Sequence, residues 1–180
     1  MSDPLIPIIT DLGLQAVFNA TNDGLSATIT EVALGDSGYD VAVDADGHAS
    51  QQALISEQQR VIIADARRAS PHQIDLSFVA EGPAEYWVRE LGFYLEDGTL
   101  FAVWSHATRA LAWKSASVPL IVGLELVLAT LPAESVTVQS SGVPLQLIMT
   151  RELAAIGTAL ANLQLEQLRQ ADRLAALEGA

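Results

Sequence analysis

The sequence predicts an α+β fold: an N-terminal helix packed on a mainly antiparallel sheet, followed by a C-terminal coiled-coil helix. Three observations predict it. One amphipathic segment near the N-terminus precedes a succession of strand-like segments, a hairpin signal lies at mid-chain, and a seven-residue apolar repeat ends the chain. At 180 residues and 50% apolar, the chain suffices for one core and is short for two large domains. Residues 1–145 are therefore read as one globular domain and 146–180 as a helix that oligomerises.

Thr10 and Asp11 offer an N-cap ahead of Leu12, Leu14, Val17 and Phe18, and Asn22-Asp23-Gly24 stops the pattern. Residues 27–34 have strand composition. Residues 35–49, rich in Gly, Asp and Ser, read as an exposed loop. Two strands over 60–69 and 72–80 join around Ser70-Pro71, because Ile74, Leu76, Phe78 and Ala80 alternate with Asp75, Ser77 and Val79. In the stretch 86–104, YWVRELGFYLEDGTLFAVW, two aromatic and branched runs flank Asp97-Gly98, the signal of a type I′ hairpin. A two-residue loop there pairs Leu95 with Leu100, Phe93 with Ala102 and Leu91 with Trp104, which gives one apolar face. The other face then carries Glu90, Glu96, Thr99 and Ser105, with Tyr94 opposite Phe101. Residues 117–130 (SVPLIVGLELVLAT) read as a strand through the middle of the sheet, and 135–139 as a short last strand.

From Met149 the spacing turns to 4-3-4-3. Leu153, Leu160, Gln167 and Leu174 fall at heptad position a, and Met149, Ile156, Leu163, Gln170 and Leu177 at d. A terminal helix docked on its own domain does not need a strict 3.5-residue seam, so the pattern favours self-association. The Gln layer costs stability and fixes register. Leu165 and Leu168 lie outside the seam, and the pattern leaves two and three strands both open. At about 1.5 Å per residue, 149–177 extends about 43 Å.

Nine Lys and Arg against 22 Asp and Glu give a net charge of −13, which repels a phosphate backbone and excludes nucleic acid as a natural partner. The charge is concentrated in residues 1–148, with 18 acids and 6 bases against 4 and 3 in 149–180. Without cysteine there is no disulfide, zinc-thiolate or thiol chemistry. The start MSDPLIPIIT lacks a signal-peptide pattern and no uncharged run is long enough for a membrane span, so synthesis in a cytoplasm is expected. Gly35-Asp36-Ser37-Gly38 spells the tetrapeptide around a serine-protease nucleophile, but neither His48, His72 nor His106 stands in the context of a general base, and Tyr39 replaces the next Gly. A glycine-rich turn accounts for it better. The three His are too scattered for a metal cluster, and Asp44 with Asp46 reads as a solvated acidic loop rather than a calcium loop. Nothing identifies opposed carboxylates for a glycan depolymerase. The chain is thus read as no enzyme, with no cofactor and no metal. Arg89 shares a strand face with Trp87, Leu91 and Phe93, so it is either paired within the sheet layer, exposed at a subunit contact, or a snorkelling surface residue.

Trp87-Val88-Arg89-Glu90-Leu91-Gly92-Phe93, followed by Glu96-Asp97-Gly98-Thr99-Leu100 and Ala102-Val103, resembles the signature of the phage tail-collar fibre family. Three further segments agree in order: Ile9-Thr10-Asp11-Leu12-Gly13 leading to Asn19-Ala20, then Ile29-Thr30-Glu31-Val32-Ala33-Leu34-Gly35-Asp36, then the apolar strand around Leu124 to Leu128. The family's glycine loop carries Ser37 and Tyr39 here.

The resemblance implies the N-terminal baseplate-attachment domain of tail-fibre proteins in contractile-tailed phages and related injection particles, located in the virion tail. It implies a homotrimer bound to tail baseplate proteins, with host recognition left to other regions. Because the chain stops soon after the Gln layer, a short fibre or fibre adaptor is expected, with a second fibre chain as a further partner. Loops 35–49 and 81–85 are the expected docking loops, facing basic patches on a partner. The alternative is a small receptor- or glycan-binding module contacting the host surface, whose mark would be aromatic residues in exposed loops; the three Trp lie in or beside strand-like segments instead.

Overall fold

A computed structural model of the chain describes residues 6–128, 131–142, 153–154, 156–167 and 169–170. The chain divides into two compact units, Met1–Gly142 and Val143–Ala180. In the first, the order is β1 (Ile8–Ile9), α1 (Asp11–Asn22), β2 (Ala27–Gly35), β3 (Glu57–Ser70), β4 (Gln73–Ala80), β5 (Tyr86–Val88), β6 (Glu90–Leu95), β7 (Leu100–Ser105), β8 (Ala112–Lys114), β9 (Leu120–Val127) and β10 (Val136–Val138). Seven strands lie in the order β1-β7-β6-β2-β3-β4-β9 with each neighbouring pair antiparallel, and β10 joins β2 in parallel. β5 and β8 form a separate ribbon.

Helix α1 starts where its cap residue requires. The Thr10 side chain accepts the Gly13 N–H at 2.9 Å, and its hydroxyl donates to the Leu100 carbonyl, so one side chain caps the helix and ties it to β7. Gly13 permits the approach: a Cβ there would lie 2.3 Å from the Phe101 carbonyl oxygen. The helix lays Val17 into the main core with Phe78, Phe93 and Phe101, while Phe18 stays exposed.

The middle of the sheet is buried on both faces. β6 is buried at all six positions. The second face holds a smaller core of Ala33, Ala49, Leu54, Tyr94, Leu100 and Val103. On the face expected to be polar, Glu90 and Tyr94 are therefore interior, with Ala49 and Leu54 packed on that side, while Thr99 and Ser105 are half-buried and Glu96 stays exposed.

Two strand expectations are corrected. Leu91 does oppose Trp104 and Phe93 does oppose Ala102, but the register then shifts and Tyr94 pairs with Leu100. The turn is also different. Gly98 N–H donates to the Leu95 carbonyl and Leu95 N–H to the Thr99 carbonyl, both at 2.9 Å, with Gly98 at φ +83 and no positive φ at Asp97. This is a three-residue loop ending in a left-handed glycine, not type I′. The bulge sends Leu100 to the second core and puts Phe101 in the first. The apolar strand β9 is not central: it ends the strand order and pairs with β4. Its apolarity serves the core contacts of Leu120, Val122, Leu124 and Leu126.

In the second unit the described residues of 153–170 are helical and exposed. Met149, Leu174 and Leu177 lie outside the described residues. No described helix is long and apolar enough to cross a membrane.

Candidate functional site

The buried charge of the central motif is Glu90, not Arg89. Glu90 begins β6 between Gly35 of β2 and Ser105 of β7 and is 0% exposed. Its Oε2 accepts the Tyr39 hydroxyl at 2.9 Å and the Ile55 amide at 3.0 Å, and its Oε1 accepts the Ser56 amide at 2.7 Å. Three donors onto one carboxylate are what makes its burial tolerable. Gln51 extends the network, donating to the Tyr39 oxygen at 2.6 Å and the Ala53 carbonyl at 2.7 Å. Burial, as the largest cause, pushes the Tyr39 phenol well above its ordinary pKa, against the opposing hydrogen bond from Gln51.

The GDSG tetrapeptide belongs to this arrangement. A Cβ at Gly35 would lie 2.3 Å from Glu90 Oε1 and 2.6 Å from the Ser56 carbonyl oxygen, so only glycine leaves room for the carboxylate. Ser105 Oγ accepts the Tyr39 amide at 3.1 Å and lies 3.4 Å from the Ser37 carbonyl oxygen, to which it donates. Residues 35–39 are thus folded onto the domain, and the exposed run is 42–47. The expected exposed loop 35–49 is corrected to that extent. Among the described residues no hydrogen bond joins Ser37 to a His, and His106 Nδ1 accepts the amides of Thr108 and Arg109 at 3.2 Å.

Chain pairing breaks at Arg89, between β5 and β6. Trp87 and Arg89 point out to solvent while Leu91 and Phe93 enter the core, so the four do not share one face as the sequence suggested. The break is held by Arg89 N–H donating to the Gly35 carbonyl at 2.9 Å and Leu111 N–H to the Val88 carbonyl at 2.7 Å. Trp87 faces Trp113 across the β5–β8 ribbon, and Tyr86 and Val88 pack inward. Lys114, 1% exposed, donates through Nζ to the carbonyls of Gly82 at 2.8 Å and Ser115 at 2.6 Å, pinning the loop before β5.

The rest of the signature makes structure. Gly92 sits where a Cβ would come within 3.0 Å of Leu100 and Tyr94 and 3.1 Å of Leu54. Asp97 Oδ1 accepts the Thr99 amide at 2.9 Å inside the hairpin loop that Gly98 closes. The structure thus joins Glu90 to Tyr39 and Gly35, and Trp87 to Trp113. Tyr39 stood out in the sequence only as a departure from a glycine run. Trp113 and Lys114 were not singled out, since a three-residue strand carries too little periodicity to announce its faces.

Asp11, Asp44 and His48 place one ligand atom each within 4.8 Å of the others, a grouping able to hold a divalent cation. Asp44 Oδ1 already accepts the amides of Asp46 at 2.9 Å and His48 at 2.8 Å, and both aspartates are open to solvent. On the helix of the second unit, Leu153, Ile156, Leu160 and Leu163 are 56–65% exposed, and Gln167 and Gln170 are exposed beside them.

Compared with known proteins, residues 1–140 match the family model described as phage tail-collar fibre protein, N-terminal. No curated protein and no solved structure gives a significant match.

Proposed function

The chain belongs to the phage tail-collar fibre family, and from that premise we propose that its first unit attaches to the tail baseplate while its C-terminal helix gathers the copies into a homotrimeric coiled coil. Membership makes it a structural component of a virion tail, of a non-enzymatic kind. The observation that carries the attachment reading is the match over residues 1–140.

The helix supports the oligomeric part. A lone helix that exposes Leu153, Ile156, Leu160 and Leu163 by more than half leaves apolar surface in water that burial would stabilise. Its spacing of 3.5 residues is the one that keeps such a seam against like helices. In the trimer, Gln167 and Gln170 form polar layers that fix register, and residues 1–145 and 146–180 are the two working parts. The partners are baseplate proteins and a second fibre chain, in a short fibre or fibre adaptor. Net charge −13 suits a partner with basic patches and salt-dependent docking.

Light scattering during size-exclusion chromatography tests this, comparing the intact chain with one truncated after Pro144. A mass near three times 19.1 kDa that falls to monomer on truncation is expected. Monomers in both would overturn the trimer. The second reading, a receptor- or glycan-binding module, is favoured by one observation, the solvent-exposed indoles of Trp87 and Trp113.

A further inference from the structure

Strand β9 ends the sheet with β4 on one side and, among the described residues, no strand on the other. Which of its backbone groups are left over follows from the register. Leu128 N–H donates to the His72 carbonyl at 2.8 Å, and the β4–β9 pairing runs from Gln73–Val127 to Ala80–Leu120 without a register shift. Leu120, Val122, Leu124 and Leu126 therefore direct their N–H and C=O groups at β4, and Ile121, Gly123, Glu125 and Val127 direct theirs outward. No hydrogen bond occupies these outward groups among the described residues. The two ends of the sheet are built differently. β1 is two residues long and follows Pro7, which has no N–H to offer. β9 is eight residues long, contains no Pro, Lys or Arg and no bulge, and carries one charge, Glu125. An apolar edge of that length is a template for a further strand.

The charges beside this edge call for a particular strand. Arg67 on β3 opposes Asp75 on β4 and pairs with it at 3.0 Å, and Asp75 in turn opposes Glu125 on β9. Asp75 and Glu125 are like charges at a position that exchanges no ladder bonds, where opposed side chains lie closer. Glu125 is exposed and forms no ion pair among the described residues. Two positions along the edge, Gly123 is exposed and leaves bare backbone.

We propose that the β9 edge is a docking site of the first unit, and that its occupant is an extended segment of a tail protein, added as an antiparallel strand with Lys or Arg opposite Glu125 and an aromatic residue opposite Gly123. This deepens the attachment reading and rests on it. Outward N–H and C=O groups at every second residue recognise a peptide backbone, which a glycan does not supply in that spacing. Charge complementarity selects the strand: a base opposite Glu125 extends the row Arg67, Asp75, Glu125 to a fourth member and neutralises its last charge. An aromatic ring there covers the backbone that Gly123 leaves bare. A second copy does not complement the edge. Strands β1, β5, β9 and β10 contain no Lys or Arg, and Lys114 of β8 is buried against carbonyls.

The test uses tail particles assembled without this protein, mixed with the purified full-length chain and sedimented, with amide exchange read residue by residue on the free and the bound chain. The amides of Ile121, Gly123, Glu125 and Val127 are expected to exchange quickly in the free chain and about tenfold or more slowly in the complex. Those of Val122, Leu124 and Leu126, already bonded to β4, should change little. Glu125→Lys removes no bond within the domain and relieves the repulsion with Asp75, so it is expected to bind the tails about tenfold more weakly at undiminished stability. Gly123→Pro removes only an outward N–H and is expected to bind about as weakly; Glu125→Lys keeps the test valid should the proline disturb the strand. If the wild type fails to sediment with the tails, the attachment reading falls and this proposal with it. If it sediments while the four amides exchange as in the free chain, attachment stands and this edge is overturned. Glu125→Lys binding as tightly as the wild type overturns the basic strand. Protection of the four amides in the chain alone, rising with its concentration, assigns the edge to a second copy and overturns the proposal as well.

Discussion

Replacing Glu90 with Gln keeps the volume of the side chain and changes only its hydrogen-bonding capacity. The carboxylate now accepts from the Tyr39 hydroxyl, the Ile55 amide and the Ser56 amide. With the Gln oxygen in the place of Oε2, the amide NH₂ faces the Ser56 N–H, donor against donor. Turned over, it faces the Ile55 N–H instead, because only the Tyr39 hydroxyl can rotate to accept. Either orientation leaves one amide without its acceptor, and the remaining bonds lose the help of the charge. Losing one charge-assisted bond costs about 1.5–3 kcal/mol, which for a chain of this size lowers Tm by roughly 5–10 °C. Glu90→Ala removes all three acceptances and opens a cavity, for about 3–5 kcal/mol. Urea unfolding at one fixed protein concentration measures both variants, since association is linked to apparent stability. Amide exchange adds a local readout: the Ile55 and Ser56 amides should lose protection first. A Glu90→Gln protein within about 0.5 kcal/mol of wild type, with both amides still protected, would refute the view of Glu90 as the anchor of the 51–56 segment.

Gly13→Ala should destabilise by about 2 kcal/mol or more although Ala favours helix, because its Cβ would lie 2.3 Å from the Phe101 carbonyl oxygen; chemical denaturation decides the sign. Lys114→Met should cost about 1–3 kcal/mol by orphaning the carbonyls of Gly82 and Ser115, and limited proteolysis by proteinase K should then open the 81–85 loop. Stability should fall above about pH 10: burial, the largest cause in each, raises the pKa of Tyr39, Tyr86 and Tyr94, all three tyrosines of the chain. A raised folded-state pKa gives stability that is complete below the unfolded value and lost as pH rises through the folded one. Phenolate absorbance should therefore appear together with unfolding, and phenolate appearing near pH 10 in a protein still folded would refute it.

What the sequence determined by itself is what neighbours along the chain decide. Thr10 and Asp11 ahead of Leu12, Leu14, Val17 and Phe18 mark a helix start, Asp97-Gly98 marks a chain reversal, and the spacing from Met149 to Leu177 marks a 3.5-residue repeat, each set by local torsion and periodicity. The motif 87–98 also carried the family resemblance, without disclosing what its residues do. Tertiary structure decided the rest through contacts between residues far apart in sequence. Glu90 looked like a polar-face residue because alternation assumes one wet face, and it is buried because residues of the 49–54 segment lie over that face. One bulged residue moved Leu100 to the other core, since a slip of one position reverses every side chain beyond it. β9 looked central because its composition is apolar, yet strand order is set by which edges remain open once β2 has taken β3, β6 and β10. Gly35 and Tyr39 became meaningful only when folding brought Glu90 against them, 51 or more residues distant in the chain.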